Sequence, residues 1–543
     1  MERQASYRDH LRDFVRAHPW QAAGRLVWVL VAAAWGGASG AFLAWGPLMA
    51  GSVWMVILGL VGAVLHGGLW LRQQLAAMGG RPRLARRWRR GLLLGHVGLV
   101  MAVGGVAAFQ LRRIGLLPPL GQDRMASFDR LTEAMAGAYP YFERKDVDWG
   151  EMVERYRPQA ARAEDDEAYV AVLDTMLAEL DDAHTGVTPD VISQQGCFLA
   201  ATREMGGQAV VVQVGGRALD EGLDVGSVVL SVDGVPVAEA LESVDRRLTA
   251  GSTARQRRAR AFQYLLHTPF GGRRKVTFEP RSGKERAATL SCPADPAAAA
   301  EARKSGEIWD DLLPVVERRI VSRRLPSGVG YVRIPTFGTD LVAEFDAAVD
   351  ELLDAPALIL DLRGNGGGNS AYGGRMAGRL LSEPFAYGRD EFVARLPTRG
   401  WRRWLTFRVR PREPVYSGPV LVIMDTGTMS SAEQFLVALV DSGRVRTVGR
   451  ATGGASGNPT VFRMPGAYDV RFSTGSFVRN DGTPIEGVGL EPDLAVEWTV
   501  EDIRAGRDPD LRAAERLLAE GEGLTGEVPG VQGRCGGVED GGG

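Results

Sequence analysis

Hydrophobic and polar residues alternate in more than one way along the chain, and each pattern predicts a different kind of element. Near the N-terminus, three apolar runs without Asp, Glu, Lys or Arg occupy about 26–45, 53–71 and 91–109. A helix of about 20 residues crosses a hydrocarbon core of roughly 30 Å. We therefore expect residues 26–110 to form a membrane anchor of three transmembrane helices behind an N-terminal segment at 1–25.

Arginine placement predicts the orientation of this anchor. Five arginines precede the first run, seven lie between the second and third runs, and none lies between the first and second. Basic residues concentrate on the cytoplasmic side of membrane proteins. The N-terminal segment is therefore expected in the cytoplasm and everything after Phe109 outside it. Because Gly, Ala and Arg far outnumber Lys, as in a GC-rich bacterium, we expect a multi-pass protein of the bacterial inner (cell) membrane with a periplasmic body.

In the body of the protein the pattern changes from helical to strand-like and then to an alternation of the two. Helical periodicity covers 126–190, and short Val-rich strands with Gly-containing turns cover 196–292. After an Ala- and Glu-rich linker, strand-like runs alternate with helical ones over 318–500, a pattern typical of an α/β core. Residues 501–543 are expected to form a helix and a disordered Gly-rich tail.

Charge and cysteine content add two constraints. The formal net charge of −2 gives no reason to expect a nucleic-acid partner. An oxidising compartment permits disulfides, and Cys197 and Cys292 bracket the strand-rich segment, so they are the expected pair. Cys535 lies in the Gly-rich tail and is expected to stay unpaired.

A cluster of glycines follows one predicted strand, in "LILDLRGNGGGNSAYGG". Gly366, Gly368 and Ala371 match the G-x-G-x-x-A pattern of dinucleotide sites. Bare backbone N–H groups suit a phosphate, and they equally suit the oxyanion of a tetrahedral acyl intermediate. The residues alone leave this choice open.

Two adjacent serines lie between a strand-like run and a helical one, in "VLVIMDTGTMSSAEQF". Ser430 with Glu433, and Ser431 with Gln434, both fit the spacing of a helix capping box. Either serine could instead be a nucleophile at a helix N-terminus.

Histidines are scarce in the body of the protein. Only His184 and His267 lie after the predicted anchor, and His267, in the strand-rich segment, is expected to be structural or exposed. His184 follows Asp181 and Asp182, but no second histidine has the spacing of a metal site, so no metal is expected. An isolated histidine at this place is either structural or a catalytic base.

Five motifs in order resemble one family. They are "LDDAHTGV", the PDZ-like "GLDVGSVVLSVDGVPV", "LILDLRGNGGG", "TGTMSSAEQF" and "PIEGVGLEPD". Together they resemble the C-terminal processing (tail-specific) peptidase family, which also includes the tricorn core protease. The resemblance covers about 128–500. It implies an α/β protease core of the ββα, crotonase-like type, with a helical N-terminal subdomain and a β-rich PDZ-like insert, here preceded by the three transmembrane helices.

Lysine placement selects between the two branches of that family. In the C-terminal processing branch a lysine activates the serine, and its position aligns with Ala455. This chain has no lysine after Lys304, so a Ser–Lys dyad within the core is excluded. The sequence therefore looks like the Ser–His, tricorn-core-like branch.

The resemblance implies a role for each matching residue. Ser430 would be the nucleophile, His184 its base, and Glu486 the acidic residue that supports the charge relay. The oxyanion hole would use backbone N–H groups of Ser431 and of Gly368 or Gly367. Tricorn-type enzymes have a serine just before the base, where this chain has Ala183. The group that orients His184 would then be Glu486, a water or another polar side chain.

The expected activity is that of a membrane-anchored serine endopeptidase acting outside the cytoplasm on unfolded or C-terminal polypeptide segments, as a possible homo-oligomer and without a cofactor. One alternative is a catalytically inactive, protease-like module that binds peptides or other ligands. A dinucleotide-dependent enzyme is a third hypothesis, and it depends only on the glycine cluster.

Overall fold

The computed structural model describes residues 123–188, 196–299, 307–308, 319–396, 399–464 and 468–521. All of them belong to the second of two units of the chain, which spans 120–543. No helix within these ranges has the length and apolar character needed to cross a bilayer. The N-terminal segment that is predicted to be cytoplasmic, the three predicted spans and Cys535 lie outside the described residues.

The first described part is helical, as its sequence pattern predicts. Each of its three helices begins after an aspartate whose carboxylate accepts hydrogen bonds from backbone N–H groups of the first turn, namely Asp123, Asp148 and Asp165. The elements are α1 (Arg124–Ala138), α2 (Trp149–Arg162), α3 (Asp166–Ala178) and a short strand, β1 (Gly186–Thr188).

The second part is rich in strands. Its elements are β2 (Gly196–Phe198), β3 (Ala200–Met205), β4 (Gln208–Val214), α4 (Gly216–Asp220), β5 (Val228–Val232), β6 (Val235–Pro236), α5 (Val237–Glu242), α6 (Arg246–Thr249), α7 (Ala254–Tyr264), β7 (His267–Pro269), β8 (Arg273–Glu279), β9 (Arg286–Ser291) and β10 (Glu307–Ile308). The main sheet has the order β10-β4-β5-β8-β9, with β3 paired to β4 and β6 to β5.

Two long-range contacts close this strand-rich part. A disulfide joins Cys197 in β2 to Cys292, just after β9, with their Cα atoms 5.6 Å apart. The strand β10 comes from the segment that the sequence predicts to be a linker, and it pairs antiparallel with β4. Residues 307–308, within the segment predicted to be a linker, thus extend the sheet by backbone pairing.

The third part carries the α/β core. Its elements are β11 (Val321–Arg324), β12 (Gly330–Arg333), α8 (Leu341–Glu351), β13 (Leu358–Asp361), α9 (Ser370–Ala377), β14 (Phe385–Leu396), β15 (Arg399–Val409), β16 (Val420–Met424), α10 (Ser431–Asp441), β17 (Arg446–Gly449), β18 (Thr460–Arg463), β19 (Asp469–Phe472), β20 (Gly475–Arg479), β21 (Leu494–Ala495), α11 (Val500–Arg504) and α12 (Pro509–Glu520).

The central sheet confirms the predicted α/β core. Its order is β11-β12-β13-β16-β17-β21, and every pair from β12 to β21 is parallel. On β16, Val422 and Met424 pack with residues of α8 and α10, whereas Leu421 and Ile423 pack with residues of α12. A strand covered on both faces is a continuous apolar run, which is why this run stands out in the sequence.

The parallel pairing also determines where the loops meet. Leu360 of β13 lies opposite Val422 of β16. The carboxyl ends of neighbouring parallel strands open at the same edge of a sheet, where ligand sites of α/β proteins form. The glycine loop after β13 and the serine turn after β16 are therefore brought together.

Two smaller sheets were not predicted by the sequence pattern. A long hairpin, β14 with β15, continues into β20. The strands β18 and β19 extend the helical part, because β1 pairs with β19 and their side chains share one core, for example Leu131 with Val470. This pairing draws the loop before β1 onto the core.

Candidate active site

Ser430 occupies a strained turn between β16 and α10. Its backbone has φ +62° and ψ −128°, a combination that costs a non-glycine residue about 1–3 kcal/mol. Its N–H donates to the carbonyl oxygen of Ala455 at 2.8 Å and to Glu433 Oε2 at 3.0 Å, which holds the turn in place. Such a sharp strand-to-helix turn is typical of nucleophilic serines because it presents the hydroxyl.

Ser431 has a different role from the capping one that its spacing suggested. The helix α10 begins at Ser431, so the cap is Ser430 and the predicted Ser431–Gln434 capping box is wrong. The Ser431 hydroxyl instead donates to the Gly368 carbonyl at 2.9 Å and contacts the Ser370 hydroxyl at 2.9 Å. Ser431 thus fastens the glycine loop to the serine turn.

His184 meets Ser430 although 246 residues separate them in the chain. The distance from His184 Nε2 to Ser430 Oγ is 2.9 Å. The loop that carries the histidine is held by Asp182, whose carboxylate accepts from the His184 N–H at 2.9 Å and from Thr185 Oγ1 at 2.7 Å. Arg471 on β19 donates to the His184 carbonyl at 3.1 Å.

The environment of His184 keeps its imidazole neutral. The pKa of His184 is lowered to about 4, mainly by burial; Asp182 opposes this shift, and the nearby cations Arg471 and Lys145 add to it. A neutral ring that accepts a proton at Nε2 carries its own proton on Nδ1. Nδ1 is buried and has no hydrogen-bond partner among the described residues.

Glu486 lies next to the site with both carboxylate oxygens engaged. It is 1% exposed; Oε1 is 2.7 Å from Lys145 Nζ, and Oε2 accepts from the Ser456 N–H at 2.8 Å. Burial, and then the charge of Asp182, raise its pKa to about 7. None of the hydrogen bonds in the described part of the chain joins Glu486 to His184.

The glycine loop supplies two candidate oxyanion donors. The Gly367 N–H donates to Asn365 Oδ1 at 2.9 Å and is therefore occupied. Within the described ranges, the N–H groups of Gly368 and Ser431 have no hydrogen-bond acceptor. A Cβ at Gly367 would lie 2.7 Å from Ser430 Cβ, so only glycine lets the loop approach the serine this closely. The loop that matched the dinucleotide pattern thus packs against the serine turn.

Sequence reasoning underestimated Glu433, which it assigned to the helix start. Glu433 is fully buried, and besides the Ser430 N–H it accepts from the N–H groups of Gly454 at 2.8 Å and Ala455 at 3.0 Å, and from the Thr452 hydroxyl. Burial raises its pKa to about 7. Its place three residues after Ser430 was the only signal in the sequence.

Sequence reasoning also missed Lys145 as a neighbour of the site. The scarcity of lysine was used only to exclude a Ser–Lys dyad in the core, yet Lys145 comes from the helical part and reaches Glu486. The other histidine of the body, His267, is buried on β7 beside the rings of Phe198 and Tyr264, a structural position.

Two family models match parts of the chain. Residues 328–496 match the model of peptidase family S41, and residues 121–178 match the tricorn protease C1 domain. The first range holds Ser430, Glu486 and the glycine loop, and the second ends six residues before His184.

Curated relatives are similar over part of their length. The carboxy-terminal-processing protease of Bartonella bacilliformis is 24% identical over 227 residues, which are 40% of this chain and 48% of that protein. Putative tricorn protease homolog 2 of Streptomyces coelicolor is 26% identical over 412 residues, 69% of this chain and 30% of that protein. The chain thus spans about half, or less, of these relatives.

Among solved structures, mature CPAF complexed with lactacystin is similar with a TM-score of 0.58 at 17% identity. The match covers 74% of this chain and 98% of that one. At this identity the likeness shows a shared fold.

Proposed function

We propose that the chain is a serine peptidase with Ser430 as nucleophile and His184 as base, because residues 328–496 match the model of peptidase family S41. The observation that carries the proposal is the 2.9 Å contact between His184 Nε2 and Ser430 Oγ. A free serine hydroxyl is a poor nucleophile and needs such a base. A burial-lowered pKa keeps the base unprotonated at neutral pH.

The proposed reaction is acyl transfer. His184 Nε2 takes the proton of Ser430 as Oγ attacks the peptide carbonyl carbon, and it then returns that proton to the leaving amine. Water then attacks the acyl-enzyme: His184 Nε2 takes a proton from the water and gives it to Ser430 Oγ as the ester bond breaks and the carboxylic acid leaves. The N–H groups of Gly368 and Ser431 would receive the oxyanion, supported by the N-terminus of α10.

The proposal also includes the substrate and the cellular location of the peptidase. Relatives are named for processing carboxyl termini, and we propose unfolded or C-terminal polypeptide segments as the substrate. The strand-rich segment at 196–292 would bind the chain end as a PDZ-like domain. The three apolar runs within 26–110 support a multi-pass membrane anchor with the peptidase on the extracytoplasmic side.

Alanine substitutions test the two central residues. Ser430→Ala and His184→Ala should each reduce casein hydrolysis by about 10⁶-fold, because removal of either member of such a pair disables the unit. Ser442→Ala is the matched control, since its hydroxyl only caps the far end of α10 through the Leu439 carbonyl. Casein hydrolysis at the wild-type rate in either site variant, with the fold intact by circular dichroism, would contradict the assignment.

Two observations favour the alternative of an inactive binding module. His184 Nδ1 lacks a partner among the described residues, and Ala183 replaces the serine of tricorn-type enzymes. A fluorophosphonate separates the two functions, because it reacts only with an activated serine. Modification mapped to Ser430 supports the peptidase, whereas unlabelled protein without turnover supports the binding module.

A further inference from the structure

Lys145 connects three parts of the structure that meet at the candidate active site. It lies in the turn between α1 and α2, and its side chain is 12% exposed. Its ammonium group donates to the Asp181 carbonyl and lies 2.7 Å from Glu486 Oε1. The ammonium also lies 5.5 Å from the centre of the Tyr141 ring, a cation–π distance.

These contacts form a chain from the histidine loop to the serine turn. Asp181 precedes His184 by three residues. At the other end, Glu486 Oε2 accepts from the Ser456 N–H at 2.8 Å, and the neighbouring Ala455 carbonyl accepts from the Ser430 N–H. The ammonium therefore bridges the two segments that bring base and nucleophile together.

Tyr141 strengthens the same connection. Its buried hydroxyl bonds to the carbonyl oxygens of Ser456 and Gly475, the latter at 2.8 Å. Gly475 begins β20, so Lys145 and Tyr141 together fix the helical part on the core. The Lys145 ammonium has three N–H donors and is largely shielded from water, so it holds its neighbours by hydrogen bonds as well as by packing.

The cluster also balances charge. Glu486 and Asp182 are both buried carboxylates, and the charge of each affects the other. A buried charge is costly unless it is paired. Among the described residues, Lys145 makes the ion pair of Glu486. The charged groups around this cluster and His184 are Asp182, Arg471, Glu486 and Lys145, with Arg246 and Arg257 on the Asp181 carboxylate.

We propose that Lys145 is a positioning residue for the peptidase: through the Asp181 carbonyl and Glu486 it holds His184 against Ser430 and neutralises the carboxylate charge beside the base. This role builds on the proposed function, in which His184 activates Ser430. Lys145 acts without touching the reacting atoms. It acts from the helical part of the chain, through its positive charge and through the contacts that hold the histidine loop in place.

The effect of removing Lys145 follows from its contacts. Lys145→Met keeps the aliphatic stem and removes the ammonium, so the histidine loop loses a bridge and Glu486 loses its counter-charge. Since Lys145 lowers the pKa of His184, its loss should raise that pKa towards the ordinary value. Fluorophosphonate labelling of Ser430 should slow by about tenfold, the lower end of what general-base catalysis contributes. In the profile of labelling rate against pH, the acid limb is the region where labelling falls because His184 becomes protonated. This limb should move to higher pH.

The experiment compares four full-length proteins by the second-order labelling rate as a function of pH. Lys145→Arg retains the charge, so its acid limb should stay at the wild-type position while its rate falls. Lys284→Met, at an exposed site between β8 and β9, is the matched control and should behave as wild type. A Lys145→Met protein with the wild-type rate and limb would overturn the proposal. A slower rate with an unmoved limb would also overturn it, since that outcome indicates a packing role alone.

Two further measurements keep the outcomes distinct. If Lys145→Met fails to fold, the double variant with Glu486→Gln removes the unpaired carboxylate and should restore folding and show the moved limb. An NMR titration of His184 measures the same pKa change without any reaction. Wild type that is not labelled would refute the proposed peptidase, whereas a titration of His184 that is identical with and without Lys145 would refute the positioning role.

Discussion

At the scale of single residues, the site depends on buried carboxyl groups that are used as hydrogen-bond acceptors. Glu433 accepts from the Ser430 N–H and from the loop at 452–455, so one side chain holds both the serine turn and the segment facing it. Asp182 does the same for the histidine loop. Because these acceptors are fixed by several donors each, the 2.9 Å contact between His184 and Ser430 needs no reorganisation before reaction.

Asp390 is a buried carboxyl group of another kind, and its titration can be tested. It lies on β14 and is 3% exposed, and within the described residues its carboxylate accepts two long hydrogen bonds from amides, 3.5 Å from Gln434 Nε2 and 3.4 Å from Asn458 Nδ2. Burial raises its pKa to about 7. The folded state then binds a proton that the unfolded state releases between about pH 4 and 7, so this group lowers stability as pH rises through that window.

Asp390→Asn should remove this pH dependence. As the pH rises from roughly 5 to 7.5, the free energy of unfolding of the variant should increase by about 1–3 kcal/mol relative to that of wild type. The size follows from a shift of about three pKa units, whose effect partial hydration reduces. Urea unfolding at the two pH values measures this difference. Asp340→Asn, at an exposed position before α8, serves as the control. A variant whose stability changes with pH just as wild type does would contradict the burial argument.

At the scale of elements, the site forms because two neighbouring parallel strands, β13 and β16, end at the same edge of the sheet. The glycine loop follows β13, the serine turn follows β16, and the register aligns their ends. Contact between them is close because Gly367 has φ +97° and no side chain. The loop therefore functions as a packed wall of the site.

Gly367→Ala should abolish labelling of Ser430 while the sheet stays folded. The added Cβ would meet Ser430 Cβ at 2.7 Å and the Ser431 nitrogen at 2.9 Å, and φ +97° is strained for alanine. The Ser431 N–H, a candidate oxyanion donor, would be displaced by this contact. We therefore expect at least a hundredfold loss of labelling, the order of magnitude that follows from losing an oxyanion donor. Gly374→Ala is the matched control, because a Cβ there meets nothing within 4 Å and alanine favours the helix α9. Equal labelling of the two variants would show that the close approach at Gly367 is not required.

At the scale of the whole molecule, the described parts contribute side chains from distant stretches of chain. Lys145 comes from the helical part, His184 from the loop before β1, and Ser430 and Glu486 from the core. The pairing of β1 with β19 joins the first of these parts to the last. The site is therefore a product of the assembled chain, and no isolated part contains it.

The predicted anchor gives a test at the same scale. Alkaline phosphatase fused after residue 115 should be active, since this enzyme needs an oxidising extracytoplasmic compartment, whereas a fusion after residue 80 should be inactive. Moving the seven arginines of the second connection to the first is expected to reverse the result. Activity of the fusion at residue 80 in the unaltered chain would contradict the predicted orientation.

Local patterns in the sequence predicted the elements that are determined by neighbouring residues. The run "VLVIM" forms β16 over Val420–Met424, and the periodic run after Ser430 forms α10. The disulfide joins the cysteines that bracket the strand-rich part. The order of the motifs pointed to a peptidase family, and residues 328–496 and 121–178 match the models of peptidase family S41 and of the tricorn protease C1 domain.

Contacts between distant residues could be decided only by the tertiary structure. No local periodicity indicates that Lys145 pairs with Glu486, that Glu433 holds the loop at 452–455, or that the Gly367 N–H is taken by Asn365. The hairpin β14–β15 and the addition of β10 to the strand-rich sheet also depend on long-range pairing. The physical reason is that periodicity and turn chemistry act over a few residues, whereas ion pairs, hydrogen bonds and sheet registers join atoms that only the folded chain brings within about 3 Å.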